Sequence, residues 1–321
     1  MGQLVKLYEY ISRYEMDIYK YPSRFIQLKR RQWDNLLEAW QSGNWQGVIG
    51  DEQIILQEIE EEHPPHKWRL LGKVKQLLSK REIESIEEMK DSLLPETVDD
   101  FSTIGRGLKQ KPSTLDELKH VYLNEIFSVQ MLWASSTLTY QSYIDSSFYR
   151  DRNLKYFAQR FPDTFLFLYK PIFMLKKAPV ECETILLTPT GAICIRFLEE
   201  VDSTSFLGSD DRFWERRNKD HTSRFLNPLI GLNRTETIIQ QIFRLHDIDF
   251  PLQKVLISRN GYIDYPSTPY GVQIVDKRNY QKWFESMRSL RSPLKHIQLK
   301  ATKSLLDFCK SVAVSRNDWD K

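Results

Sequence analysis

Long apolar runs are missing from this 321-residue chain. No stretch approaches the roughly 20 apolar residues of a membrane-spanning helix, so no membrane partner is expected. The start, Met1-Gly2-Gln3-Leu4-Val5-Lys6, has no apolar region of the secretory kind. Gly2 is a poor acceptor for a myristoyl chain, because Lys6 stands where Ser or Thr is wanted. Cysteine is scarce too: Cys182, Cys194 and Cys309 are odd in number and widely spaced, which excludes a disulfide framework and a zinc ligand set. Cys182 and Cys194 have apolar neighbours and read as small core residues. The six histidines are scattered, and His63-Pro64-Pro65-His66 reads as a turn before it reads as a metal site. Excess charge of one sign is also absent, since a net +3 does not by itself argue for nucleic acid. These absences leave a cytoplasmic globular protein as the expectation.

What is present is enough apolar and aromatic residue content for one large core or two ordinary ones. Residues 1–93 read as a helical N-terminal region. Leu4, Leu7, Tyr8 and Ile11 are spaced as one helix face, and so are Trp33, Leu36, Leu37 and Trp40. Tyr21-Pro22-Ser23 separates them, with Ser23 placed to cap the second helix. Trp68, Leu71, Val74, Leu77 and Leu78 mark a further amphipathic stretch within a basic block at 67–81 that follows an acidic one at 51–62. Residues 94–113 lose the apolar period and read as a linker or long loop. Connecting helices over 114–150 begin at Thr114 and Glu117, spaced as a capping box.

From Asp151 the pattern changes. A short helix over Asn153–Arg160 precedes apolar strands at Thr164–Tyr169 and Glu183–Leu187. Thr188-Pro189-Thr190-Gly191 is a turn, with Gly191 expected to supply a positive φ, and Ala192–Phe197 is the returning strand. Asn227-Pro228 opens a helix carrying Ile238, Ile239, Ile242, Phe243 and Leu245. Strands follow at Lys254–Ser258 and Val272–Val275, and 285–321 is a basic, helical C-terminal segment. Strands first, then helix and strand, imply an α+β or α/β domain with a mixed sheet.

The order of these motifs resembles the nuclease-related domain family, NERD, often found in Gram-positive bacteria. The resemblance runs over about residues 151–284. It rests on the hairpin Glu183–Ile195, on Asp211-Arg212-Phe213-Trp214, on Asn227-Pro228 before the long helix, and on Val255-Leu256-Ile257-Ser258. That family is similar to PD-(D/E)XK nucleases, in which carboxylates hold Mg²⁺ against a phosphate and a Lys positions water. The resemblance implies that the first acid falls on Glu183. The Glu and Lys of the returning strand fall on Arg196 and Leu198, and the Gln that follows the Asn-Pro pair falls on Gly231.

The expected protein is therefore a degenerate nuclease, a pseudoenzyme that binds nucleic acid or protein and needs no cofactor, with Arg196 pairing with Glu183 where a metal would sit. The alternative is an active Mg²⁺-dependent nuclease using Glu183 with a relocated Glu199 or Glu200. Glu200 would share the strand parity of Arg196 if the strand ran that far. For DNA or RNA, the candidate contacts are Lys282, Arg288, Arg291, Lys295 and Lys300, with Trp283 or Tyr280 stacking on a base. The competing reading makes this a solvated helix with Trp283, Phe284, Met287 and Leu290 facing the core. For a protein partner, the Trp-rich N-terminal region is the natural adaptor.

Overall fold

The computed structural model describes residues 1–43, 111–176, 178–200, 204–218, 221–266 and 271–315. The expected helix around Trp68, the charge blocks at 51–81, the His63–His66 turn and most of the expected linker lie outside the described residues. The chain divides into two compact units, Met1–Leu28 with Ile126–Lys321, and Lys29–Glu125.

The smaller unit holds the later part of helix α2 (Tyr21–Ser42) and the first part of helix α3 (Leu115–Trp133). The α3 start is the expected capping box: Glu117 N donates to Thr114 Oγ1 at 3.2 Å, and Thr114 N to Glu117 Oε2 at 3.3 Å. Trp33 packs against Tyr122 with ring centroids 5.0 Å apart, and Trp40 Nε1 donates to Pro112 O at 2.8 Å. Both tryptophans thus serve the packing of their own unit. Helix α2 begins at Tyr21, so Ser23 lies inside it and does not cap it.

The first element of the larger unit corrects the helical reading of residues 4–11. Strand β1 (Gln3–Leu7) is buried along its whole length and runs parallel to β3 (Leu166–Tyr169), with Gln3 opposite Leu166. Two polar residues disguise it. Gln3 Nε2 donates to Asp163 O at 2.6 Å, while its Oε1 accepts from Tyr14 OH at 3.2 Å. Lys6, wholly buried, places Nζ 2.5 Å from Glu15 Oε1 and 2.6 Å from Ser311 Oγ. With both faces covered, no period-2 signal is left to read. Glu15 belongs to helix α1 (Arg13–Met16), where it also closes a capping box with Ser12.

A two-stranded sheet joins β2 (Tyr140–Gln141) to a C-terminal strand, and helices α4 (Ser146–Arg150) and α5 (Arg152–Arg160) lead into β3. Strands β4 (Ile172–Leu175) and β5 (Ala178–Glu181) form a hairpin of their own. The main sheet continues with β6 (Thr184–Thr188) and β7 (Gly191–Phe197), both antiparallel to their predecessors. A second sheet follows: β8 (Ser205–Leu207), β9 (Phe213–Arg217) and β10 (Thr222–Leu226), with β12 (Tyr262–Asp264) pairing parallel to β8. Helix α6 (Pro228–Leu245), capped by Asn227, crosses back so that β11 (Leu252–Ile257) lies parallel to β7, and β13 (Val272–Val275) closes the edge. The order β1-β3-β6-β7-β11-β13 is a mixed six-stranded sheet in an α+β fold. Helices α7 (Tyr280–Ser289) and α8 (His296–Leu306) and strand β14 (Val314–Ser315), the partner of β2, complete the unit. Among the described residues no helix is long and apolar enough to cross a membrane.

Strand alternation sends Phe167, Tyr169, Leu186, Ile193, Ile195, Val255 and Ile257 into one core with Phe157 and Phe161. Trp283 and Met287 of α7 belong to this core, and Phe284 and Leu290 pack against it, so the reading of α7 as a core-facing helix holds. Trp283 therefore has no free face for a base. Alternate residues, including Cys194 and Arg196, face α6. At the β6–β7 turn Gly191 does not have a positive φ. Glycine is needed there because a Cβ would lie 2.8 Å from Pro251 O.

Glu15→Ala should destabilise the protein by about 3 kcal/mol, because it strands the Lys6 ammonium in the core. Lys6→Met combined with Glu15→Ala should recover most of that loss. Urea unfolding of the three variants checks this, and a loss below about 1 kcal/mol for Glu15→Ala would mean that water solvates Lys6.

Candidate functional site

The hairpin register places the two key side chains. Thr184 of β6 pairs with Ile195 of β7, which leaves Glu183 opposite Arg196, both facing α6. Arg196 Nη1 donates to Glu183 Oε1 at 2.9 Å. The Glu183 side chain is 11% exposed and that of Arg196 47%, so the ion pair straddles the rim of the core. Helix α6 holds the main chain of residue 183 from the other side. Glu183 N donates to Thr235 Oγ1 at 2.9 Å, and Thr235 in turn donates to Gly231 O at 2.9 Å. A Cβ on Gly231 would lie 2.3 Å from Glu183 Oε1, so the missing side chain makes the room that this carboxylate occupies.

Burial raises the Glu183 carboxyl above its ordinary value, while Arg196, Arg234 and Lys170 pull it down; burial wins. Arg234, on α6, donates from Nη2 to Glu181 O at 2.8 Å. One buried carboxylate thus feels three cations. Leu198, where the resemblance implies a Lys, is buried, and its N donates to Ile257 O at 2.7 Å.

The two candidate relocated acids are engaged elsewhere. Strand β7 ends at Phe197, so the parity argument does not reach Glu200. Arg259 grips Glu199 through both Nε and Nη2, the latter 2.6 Å from Oε2. The same guanidinium lies 4.6 Å from the Tyr156 ring centroid and 2.6 Å from Asn153 Oδ1. Glu200 is paired with Arg216 of β9. Each of the three acids therefore has an arginine of its own, and fixed positive charge at a carboxylate competes with a metal ion. Among the described residues no group of three or more His, Cys, Asp or Glu is placed to hold one.

The basic candidates lie along α7 and α8. Lys282 and Arg288 are exposed on α7, and Arg291 and Lys295 are exposed in the segment between the helices. Lys300 is half-buried on α8, with Nζ 3.4 Å from Asp247 O. Tyr280 donates its OH to Tyr156 OH at 2.9 Å and stacks on Phe284. Neither proposed stacking residue is thus free: Tyr280 is engaged and Trp283 is buried.

Sequence reasoning missed Arg234 and Lys170, which stand outside the hairpin, on α6 and just after β3. It also missed a cleft of about 480 Å³ at the carboxyl ends of β1 and β3. No local pattern marks that cleft, because its lining comes from four separate segments.

No protein-family model matches the chain, and no solved structure matches it. An RNA 2′,3′-cyclic phosphodiesterase of Geobacillus stearothermophilus is 30% identical over 130 residues, which is 40% of this chain and 36% of that protein. The chain thus matches little more than a third of that relative's length.

The raised Glu183 carboxyl carries a pH signature. The folded state holds this proton more tightly than the unfolded chain, so the contribution is full below the ordinary carboxylate range and is lost as pH rises through the folded value. Stability of the wild type relative to Glu183→Gln should accordingly fall between about pH 4 and pH 8 in urea titrations. A wild type that gains on the variant over that range would mean that the cations outweigh burial.

Proposed function

We propose that residues 151–284 form a NERD-like domain of the PD-(D/E)XK type that has lost its metal chemistry, and that the protein works by binding nucleic acid, RNA in particular. The observation that carries this reading is the Glu183–Arg196 ion pair at the head of the hairpin. A carboxylate there that served Mg²⁺ would need a second acid beside it and a Lys two residues further on. It has a guanidinium and a leucine instead.

The order of elements supports the fold assignment: helix α5, three antiparallel strands β3, β6 and β7, crossover helix α6 and parallel strand β11. RNA as the ligand class draws on the similarity to a phosphodiesterase whose name specifies RNA. The chemistry is consistent with binding without cleavage. A phosphodiester reaching the strand ends meets the half-exposed Arg196 with Arg234 nearby. Guanidinium groups hold phosphate oxygens well. They activate no water. Lys282, Arg288, Arg291 and Lys295, exposed on α7 and the following segment, supply the further phosphate contacts of an extended strand.

Fluorescence anisotropy with a labelled single-stranded RNA tests this. Affinity should drop steeply between about 50 and 200 mM salt, and the triple variant Arg288→Ala, Arg291→Ala, Lys295→Ala should bind about tenfold or more weakly with a shallower salt slope. An unchanged affinity in the variant, or indifference to salt, would remove nucleic acid as the ligand. Cleavage of RNA or DNA that requires Mg²⁺ or Mn²⁺ and disappears in Glu183→Ala would establish an active nuclease instead.

A further inference from the structure

The cleft at the carboxyl ends of β1 and β3 has features that the packing of the fold does not require. Tyr8 directly follows β1 and Lys170 directly follows β3, the two strands being parallel neighbours with Leu7 opposite Tyr169. Tyr8 N donates to Tyr169 O at 3.0 Å, which locks the two chain segments together. Both residues have left-handed backbones, with φ of 48° and 46°. Side chains larger than glycine rarely adopt that conformation. Such strain persists where its surroundings over-determine it, and it gathers at ligand sites. Here two strained residues border the same cleft, which is open to solvent and has a volume of about 480 Å³. The cleft also lies beyond the carboxyl ends of parallel strands, the usual place for ligands in open sheets.

The remaining lining supplies three different chemistries. Phe148 of α4 sets its ring 6.1 Å from that of Tyr8, centroid to centroid, giving an aromatic wall. Arg150 and Lys170 are both exposed, and neither takes part in an ion pair among the described residues. Glu181 is exposed; its main-chain oxygen accepts from Arg234, while its carboxylate has no hydrogen-bond partner among the described residues. Asp151, by contrast, is used up: Oδ1 accepts from Asn153 N at 2.8 Å and Oδ2 from Tyr169 OH at 2.7 Å. Lys170 Nζ lies over the Tyr169 ring, 5.3 Å from its centroid. An aromatic wall, two cations outside any ion pair among the described residues and one carboxylate without a hydrogen-bond partner among them match the base, the phosphate and the ribose hydroxyls of one ribonucleotide.

We propose that this cleft binds a ribonucleotide monophosphate unit, with its base against Tyr8 and Phe148, its phosphate at Lys170 and Arg150, and its ribose hydroxyls donating to Glu181. Glu181 is the selective element, because a carboxylate accepts from hydroxyls and repels phosphate. The unit arrives as a free nucleotide or as the terminal residue of an RNA strand. The proposal rests on the RNA-binding reading above for its preference for ribose, but it uses different residues from the α7–α8 surface.

Calorimetric titration of the full chain with 5′-AMP, 2′-deoxy-AMP, inorganic phosphate and a short oligoribonucleotide tests it. AMP should saturate one site, with 2′-deoxy-AMP and phosphate each about tenfold weaker. Lys170→Gly keeps the left-handed backbone without strain. It should weaken AMP about tenfold while the unfolding temperature holds or rises, which a structural role for Lys170 would not produce. Glu181→Ala, which removes the acceptor, should erase the preference for AMP over the deoxynucleotide. In the Arg288→Ala, Arg291→Ala, Lys295→Ala background, tighter binding of the oligonucleotide than of AMP assigns the unit to an RNA end, and the reverse assigns it to a free nucleotide. The proposal is overturned if AMP shows no saturable binding up to about 10 mM, or if Lys170→Gly binds AMP as the wild type does. Anisotropy with the α7–α8 variant reads the other surface separately, so the two readings fail independently.

Discussion

The pairing of β6 with β7 is the constraint on which the rest of the larger unit depends. Thr188 Oγ1 accepts from Gly191 N at 3.2 Å and donates to Gly191 O at 2.9 Å, which closes the turn. Gly191 also lets the chain pass against Pro251, so β11 can lie beside β7. With the turn closed, a shift of one residue would send every side chain to the wrong face. The register therefore decides at once which residues fill the aromatic core and which face α6. It also decides that residue 183 meets residue 196.

From that meeting follows the electrostatic character of the site. A buried carboxylate needs a partner or a proton. Glu183 is offered a guanidinium by Arg196 on the sheet and room by Gly231 on the helix. Glu199 and Glu200, past the end of the strand, are each claimed by another arginine from another element. The acids that a two-carboxylate metal site would require are thereby distributed among separate ion pairs. What the strand ends present is therefore carboxylates already paired with arginines.

Much of the order of elements was legible from local chemistry. The capping box at Thr114 and Glu117, the Asn227 cap with Pro228 behind it, and the apolar strands at 166–169, 184–188, 191–197 and 252–257 all signal within a few residues of themselves. Others had no such signal. Strand β1 reads as a helix face because Leu4 and Leu7 fall three apart, while Gln3 and Lys6 hide their burial behind polar side chains. The second sheet is built of short strands, two of which carry the charged residues Glu215, Arg216, Arg217 and Arg224 and look like loop. Gly191 signals a turn, but the reason for it, the approach of Pro251, lies some sixty positions away.

The sequence by itself determined the hairpin, the long crossover helix, and the presence of an arginine at 196 and a leucine at 198. These depend on residue type and on spacing along one or two neighbouring strands. Only the tertiary structure decided that Arg196 closes on Glu183, that Glu199 and Glu200 turn to Arg259 and Arg216, and that Trp283 is spent on the core. It alone brought Tyr8, Phe148, Arg150, Lys170 and Glu181 to one cleft. Contacts of that kind join segments far apart in the chain, as Arg259 and Glu199, 60 residues apart, do. Their partners are chosen by sheet order and helix packing, which no local pattern encodes.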